Sequence, residues 1–204
     1  MNFFENFLVQ FLVIAPALII SVTIHEFMHG YVSDKLGDPT PRNAGRLTLN
    51  PIKHLDPVGT IMIFIVRFGW GKPMPINPNY YKNPRMGMMY SALAGPLSNF
   101  VVAIIVGYYV RITGLEPTTI INTSIIYIAI ISVFLGVFNL IPIPPLDGSK
   151  VLAAFLPKSL LKTYNSLEGY GILIIFLGFY FLGAGRLLVP LASSVSKLLG
   201  VPYL

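Results

Sequence analysis

The sequence predicts an all-α polytopic membrane protein with about four transmembrane helices, a re-entrant or buried segment and short membrane-associated β-strands. Three observations carry that reading. Hydrophobic residues fill 54% of the 204 positions and charged residues only 11%, where a soluble domain is nearer a quarter charged. Four apolar stretches approach the roughly 20 residues that a hydrocarbon core demands of a helix. Lys and Arg are spread unevenly around those stretches. One compact unit is expected over residues 1–204, with a core of about 7–150 and a C-terminal span and tail of about 169–204. Cys is absent, so neither a disulfide framework nor a thiolate ligand is available.

The first span covers about residues 7–28 and carries Pro16, a kink site. The opening "MNFFENFLVQF" lacks the basic start of a secretory signal, and no small-residue cleavage site follows, so the segment reads as a retained span. The second span is about 88–110, the third about 120–141 and the Gly-rich fourth about 169–189. The tail "PLASSVSKLLG" is mildly amphipathic and suits the membrane interface. Between the first two spans lie "GDPTPRNAGRLTLNPIKHLDP" and "GWGKPMPINPNYYKNPR", too rich in Pro and Gly for long helix. Within them "GRLTLN" and "KPMPIN" have the pattern of short strands. The apolar piece 58–68 reaches only about 16 Å as a helix, roughly half the bilayer core, and is expected to be re-entrant or buried.

Charge sets the orientation. If 58–68 does not cross, residues 29–87 and 142–168 share one side. That side holds Lys35, Arg42, Arg46, Lys53, Arg67, Lys72, Lys82, Arg85, Lys150, Lys158 and Lys162, against Arg111, Arg186 and Lys197 opposite. Eleven basic residues against three mark the first side as cytoplasmic. The net charge of +6 is thereby explained by topology; no basic run with interleaved aromatics suggests nucleic acid. The expected location is the cell membrane, multi-pass, with the lipid bilayer as the surroundings.

At the cytoplasmic end of the first span stands "TIHEFMHGY". His25 and His29 are four residues apart on a helix, so both imidazoles share one face and can hold a single ion. Glu26 projects beside them, placed to act as general base toward an activated water. Two neutral imidazoles with an oxygen ligand suit zinc, and iron shares that ligand preference. A catalytic zinc takes a third protein ligand and keeps an open position. The candidates are His54 and the remaining acids. Glu5 and Glu116 fall on the opposite side, Asp34 and Asp38 sit in a polar turn, and Glu168 opens the fourth span. Asp147, in "NLIPIPPLDGSK", lies where the third span ends, and Gly148 beside it permits a tight turn. An acid near membrane depth is costly unless paired or bound to metal. Residue chemistry therefore favours Asp147, then His54, and leaves the other acids, Asp56 among them, as lesser alternatives.

"HEFMHG" closing one membrane helix, with "NLIPIPPLDG" after a later one, resembles the site-2 proteases, the intramembrane zinc metalloproteases. "AGRLTLNPIKHLDPVGT", "GWGKPMPINP" and "ALAGPLSNF" are similar to the short prokaryotic branch of that family. The resemblance spans roughly residues 20–150. It implies one integral membrane metalloprotease domain and one Zn2+ per chain, held by His25, His29 and Asp147. It implies Glu26 as catalytic acid/base and Asn139 as a second catalytic residue stabilising the oxyanion; the alternative for Asn139 is a helix-end cap. The implied activity is zinc-dependent hydrolysis of a peptide bond in or near the transmembrane segment of a membrane-protein substrate with a single transmembrane helix. The second motif departs from the family's Asn-Pro-Asp-Gly, reading Pro-Leu-Asp-Gly here.

Other residues carry weaker expectations. Ala94, Gly95 and Ser98 read as close helix packing, while Asn99 must find a partner in lipid. His54 is either a polar-turn residue or a group that positions a ligand or substrate. "GWGKPMPIN" is either an interfacial loop or a strand edge that accepts an extended peptide. A metal permease would spread its acids through the spans as a path, whereas Glu26 and the metal-binding candidates cluster at one side. An inactive scaffold is disfavoured by the intact set of His25, Glu26, His29 and Asp147.

Overall fold

The computed structural model describes residues 3–59, 62, 69–181, 183 and 185–201. Helix α1 (Phe3–Lys35) includes the first span and continues past it to the zinc-type motif. Helix α2 (Pro84–Thr113) starts where Asn83 accepts the Met86 N–H and Pro84 takes a position that needs no N–H. It ends at Gly114, in the left-handed conformation with φ 61°. Helix α3 (Ile120–Asn139) is capped by Thr119, whose hydroxyl accepts the Asn122 N–H. These three pack on one another as the central bundle. Among the described residues they are the helices long and apolar enough to cross a membrane, over Phe11–Lys35, Pro84–Thr113 and Ile120–Asn139.

After α3 the chain turns through "IPIPP" into helix α4 (Asp147–Phe155), which packs against α2. Arg85 at the start of α2 donates to the carbonyls of Ala153 and Leu156, closing the C-terminal end of α4. Helix α5 (Lys158–Ser166) follows, and its Tyr164 hydroxyl donates to Pro142 O at 2.8 Å.

The predicted fourth span is not one helix. A 3-10 turn (Leu167–Tyr170) leads into α6 (Gly171–Tyr180), and α7 (Gly185–Leu199) follows after a break where Gly183 has φ 62°. The glycines of "FLGAGR" interrupt what hydropathy alone reads as continuous. The tail expected at the interface belongs to α7, which packs on α3 through Leu188 and Ala192.

The expected β-strands are absent among the described residues. "GRLTLN" forms bends, and "KPMPIN" is extended but pairs with no strand. An isolated bridge, Leu55 with Gly71, is what remains of the pattern. Pro73 and Pro75 remove two ladder donors from the second segment. The predicted re-entrant piece 58–68 lies largely outside the described residues.

Candidate metal centre

Three helices build the site. His25 and His29 come from the last turns of α1, Asp147 opens α4, and α2 passes behind them. His25 Nε2 and His29 Nε2 lie 3.1 Å and 3.2 Å from Asp147 Oδ2. The ligand atoms of all three lie within 4.8 Å of one another. Ligands about 2.0–2.1 Å from a tetrahedral zinc would be separated by about 3.3 Å, so the observed spacing matches an edge of that tetrahedron.

Hydrogen bonds fix the imidazole tautomers. Asn99 Nδ2 donates to Ser21 O at 3.0 Å, so its Oδ1 faces His25 Nδ1 at 2.6 Å and accepts that N–H. His29 Nδ1 donates to Ser91 O at 2.7 Å. In neutral rings both Nε2 atoms then present lone pairs inward, as metal-binding histidines do. Asp147 Oδ2 is buried, and its contacts lack hydrogen-bond geometry. Three electron-pair donors converging without a proton between them repel one another unless a cation sits among them. The residues present therefore fit zinc.

Two glycines make the convergence possible. A Cβ on Gly95 would lie 2.4 Å from His29 Nε2 and 2.7 Å from His25 Nε2, so the α2 backbone abuts the ligand atoms. A Cβ on Gly148 would lie 2.1 Å from Leu140 O, so only glycine lets α4 start against the end of α3. The sequence suggests a turn glycine at 148; the structure shows a close approach inside a helix instead.

The other candidates for third ligand are engaged elsewhere. His54 is fully buried, with Nε2 donating to Thr48 O at 2.7 Å. Asp34 pairs with Arg42 at 2.6 Å and Glu168 with Lys150 at 2.8 Å. For Asp38, a polar-turn acid that is either solvated or capping, the structure shows capping. It is fully buried and accepts from Ser33 Oγ and the Thr40 and Asn77 amides at 2.8, 2.9 and 2.8 Å.

Glu26 Oε2 is buried without a hydrogen-bond partner, next in sequence to His25. Asn139 Nδ2 donates to Leu135 O, one turn back in its own helix, at 3.0 Å. Ser91 lies against His29, Gly95 against both imidazoles and Arg46 near Glu26, placements that sequence reasoning did not find. Gly95 in "AGPLSN" reads as packing because a glycine facing another helix and one facing a ligand nitrogen look the same in sequence. Arg46 is buried, donating to Lys72 O at 2.7 Å and Pro73 O at 3.3 Å. Burial pulls its guanidinium down and the nearby Glu26 carboxylate opposes that.

Comparison with known proteins agrees with this geometry. The family model described as Peptidase family M50 matches residues 109–182, which include Asp147. The protein named "Putative zinc metalloprotease YwhC" from Bacillus subtilis is 40% identical over 176 residues, covering 82% of this chain and 78% of its own. "Putative zinc metalloprotease Rip2" from Mycolicibacterium smegmatis is 28% identical over 170 residues, covering 81% and 65%. Zinc metalloprotease MJ0392 of Methanocaldococcus jannaschii is 28% identical over 142 residues, covering 69% of this chain and 33% of its own. No solved structure matches. With a relative this similar across most of both chains, the chain belongs to peptidase family M50, the site-2 proteases.

Proposed function

We propose that this multi-pass membrane zinc metallopeptidase is an intramembrane endopeptidase. It hydrolyses a peptide bond in or near the membrane span of a substrate protein with a single transmembrane helix. His25, His29 and Asp147 are the zinc ligands in this reading, and the site opens toward the cytoplasm. The side is supported by the excess of Lys and Arg in the loops next to the site. The observation that carries the reading is the convergence of two imidazole Nε2 atoms and one carboxylate oxygen within 3.2 Å contacts, with an unpartnered Glu26 oxygen alongside.

A zinc ion held there supplies the Lewis acid that makes water nucleophilic near neutral pH. Glu26 takes the proton of the attacking water at Oε2 and returns it to the leaving amine. Its carboxylate suits that role because no hydrogen bond occupies that oxygen. Asn139 spends one N–H on Leu135, and we assign the second to the developing oxyanion. Asn99 and the Ser91 carbonyl hold the two imidazoles in the metal-binding tautomer. A substrate helix must unwind locally, because its carbonyls are otherwise engaged in its own hydrogen bonds.

The test is cleavage of a single-span substrate by the purified protein in proteoliposomes. Glu26→Gln is expected to retain zinc and lose cleavage by at least about 10²-fold. Parent-level cleavage by that variant overturns the assignment.

A further inference from the structure

A second polar construction lies beside the metal centre, on the extended segment 72–77. Its course is fixed by two contacts with α1. A Cβ on Gly71 would lie 3.3 Å from Val22 Cγ1, and a Cβ on Gly30 would lie 2.9 Å from Met74 Sδ. Residues 71–74 therefore run along α1 between the levels of Val22 and Gly30, and 75–77 continue toward Asp38 and Ser33. His25, Glu26 and His29 occupy that interval.

An extended strip with two prolines and no strand partner has little to hold it in place. Two buried ionic side chains do so here. At its start, the Arg46 fork donates to the carbonyls of Lys72 and Pro73 at 2.7 and 3.3 Å. At its end, Asp38 Oδ2 accepts the Asn77 N–H at 2.8 Å. Neither group forms an ion pair with an opposite charge among the described residues; Arg46 is 5% exposed and Asp38 0%. Burying unpaired ions is costly unless their hydrogen bonds repay it. Backbone carbonyls of the strip take both Arg46 bonds, and its Asn77 amide supplies one of the three to Asp38, the others coming from Ser33 Oγ and the Thr40 amide. Asp38 is itself anchored to α1 through Ser33 Oγ, which also meets the Tyr81 hydroxyl at 2.6 Å. Ser33 gives its proton to Asp38, so Tyr81 is the donor in that second contact.

We propose that Arg46 and Asp38 are positioning residues that clamp segment 72–77 along α1, and so set how substrate is held relative to Glu26. The role rests on the peptidase reading above. It predicts that loosening either end weakens substrate binding and leaves the metal in place.

The absence of Cys makes this testable without a background label. A nitroxide on Lys72→Cys, an exposed side chain, reports segment motion in the full-length, zinc-loaded protein in vesicles. In that background Arg46→Lys keeps a charge but cannot fork onto two carbonyls, and Asp38→Asn keeps the size but loses acceptor capacity. Both are expected to sharpen the spectral lines and raise KM for a single-span substrate by roughly fivefold or more. The same variants should keep kcat within about twofold and leave zinc content unchanged. Unchanged line shapes overturn the clamp. Looser segments with unaltered KM overturn its role in the reaction, and so does loss of zinc. If the parent cleaves nothing, the peptidase reading fails, while the line shapes still decide whether the clamp exists.

Discussion

Two contacts hold the bundle, and they are made of different chemistry. Where α1 meets α2 and α4, the buried polar residues are Ser21, His25, His29, Ser91 and Asn99, each at most 6% exposed. Where α2 and α3 meet α7, they are Ala103, Ala129, Val133, Val137, Leu188, Ala192 and Val201. In lipid an apolar side chain gains little by leaving other apolar groups, so the second contact rests on close packing of small residues. A polar group in the first contact must find its own partner or carry a large cost. Asn99 does so twice, bonding Ser21 O and His25 Nδ1. The polar contact therefore specifies one arrangement, and the apolar one tolerates several. Substitutions should separate the two: the first should lose metal, the second only stability.

The largest expected effect is at Gly95. Gly95→Val places a branched side chain where even a Cβ lies 2.4 Å from His29 Nε2. Zinc content measured by elemental mass spectrometry should fall to near none, and a full complement would break the comparison. Asn99→Leu should act more gently. It removes the acceptor that orients His25 and is expected to lower zinc affinity about 10–100-fold in a chelator competition. In the apolar contact, Leu188→Ala leaves a cavity among Ala192, Val133 and Val201, costing about 2 kcal/mol with zinc affinity unchanged. A thermal-unfolding midpoint checks it, and a zinc defect there would blur the distinction between the contacts.

The smallest effect concerns pH. Burial pushes the Asp38 carboxyl up, but hydrogen bonds from Thr40, Asn77 and Ser33 outweigh it and leave it below its usual value. A carboxyl lowered on folding stabilises the protein above its unfolded pKa, and that contribution fades as pH falls through the folded value. The stability gap between the parent and Asp38→Asn should therefore narrow below about pH 4. A gap that stays constant down to about pH 2 would mean that Asp38 acts through shape alone.

Much of the site was legible because its chemistry is local. His25, Glu26 and His29 sit one helical turn apart, and Asp147 is an acid where lipid disfavours acids. The three central helices follow from length and hydropathy. What escaped depends on relations between distant segments. Gly95 cannot be distinguished from a packing glycine until α1 is laid against it. Asp38 looks like a surface turn residue until Ser33, Thr40 and Asn77 converge on it. The strand pattern of "KPMPIN" misled because Pro73 and Pro75 deny it a ladder, and Arg46 takes its carbonyls. The fourth span misled because hydropathy averages over the glycines that break it.

The proposed metal site needs Asp147, on a helix far away in sequence, to complete what His25 and His29 begin. Zinc per chain, measured on protein purified in detergent without added metal, tests this most directly. About one zinc is expected in the parent and far less in Asp147→Ala. Equal zinc in the two would contradict it.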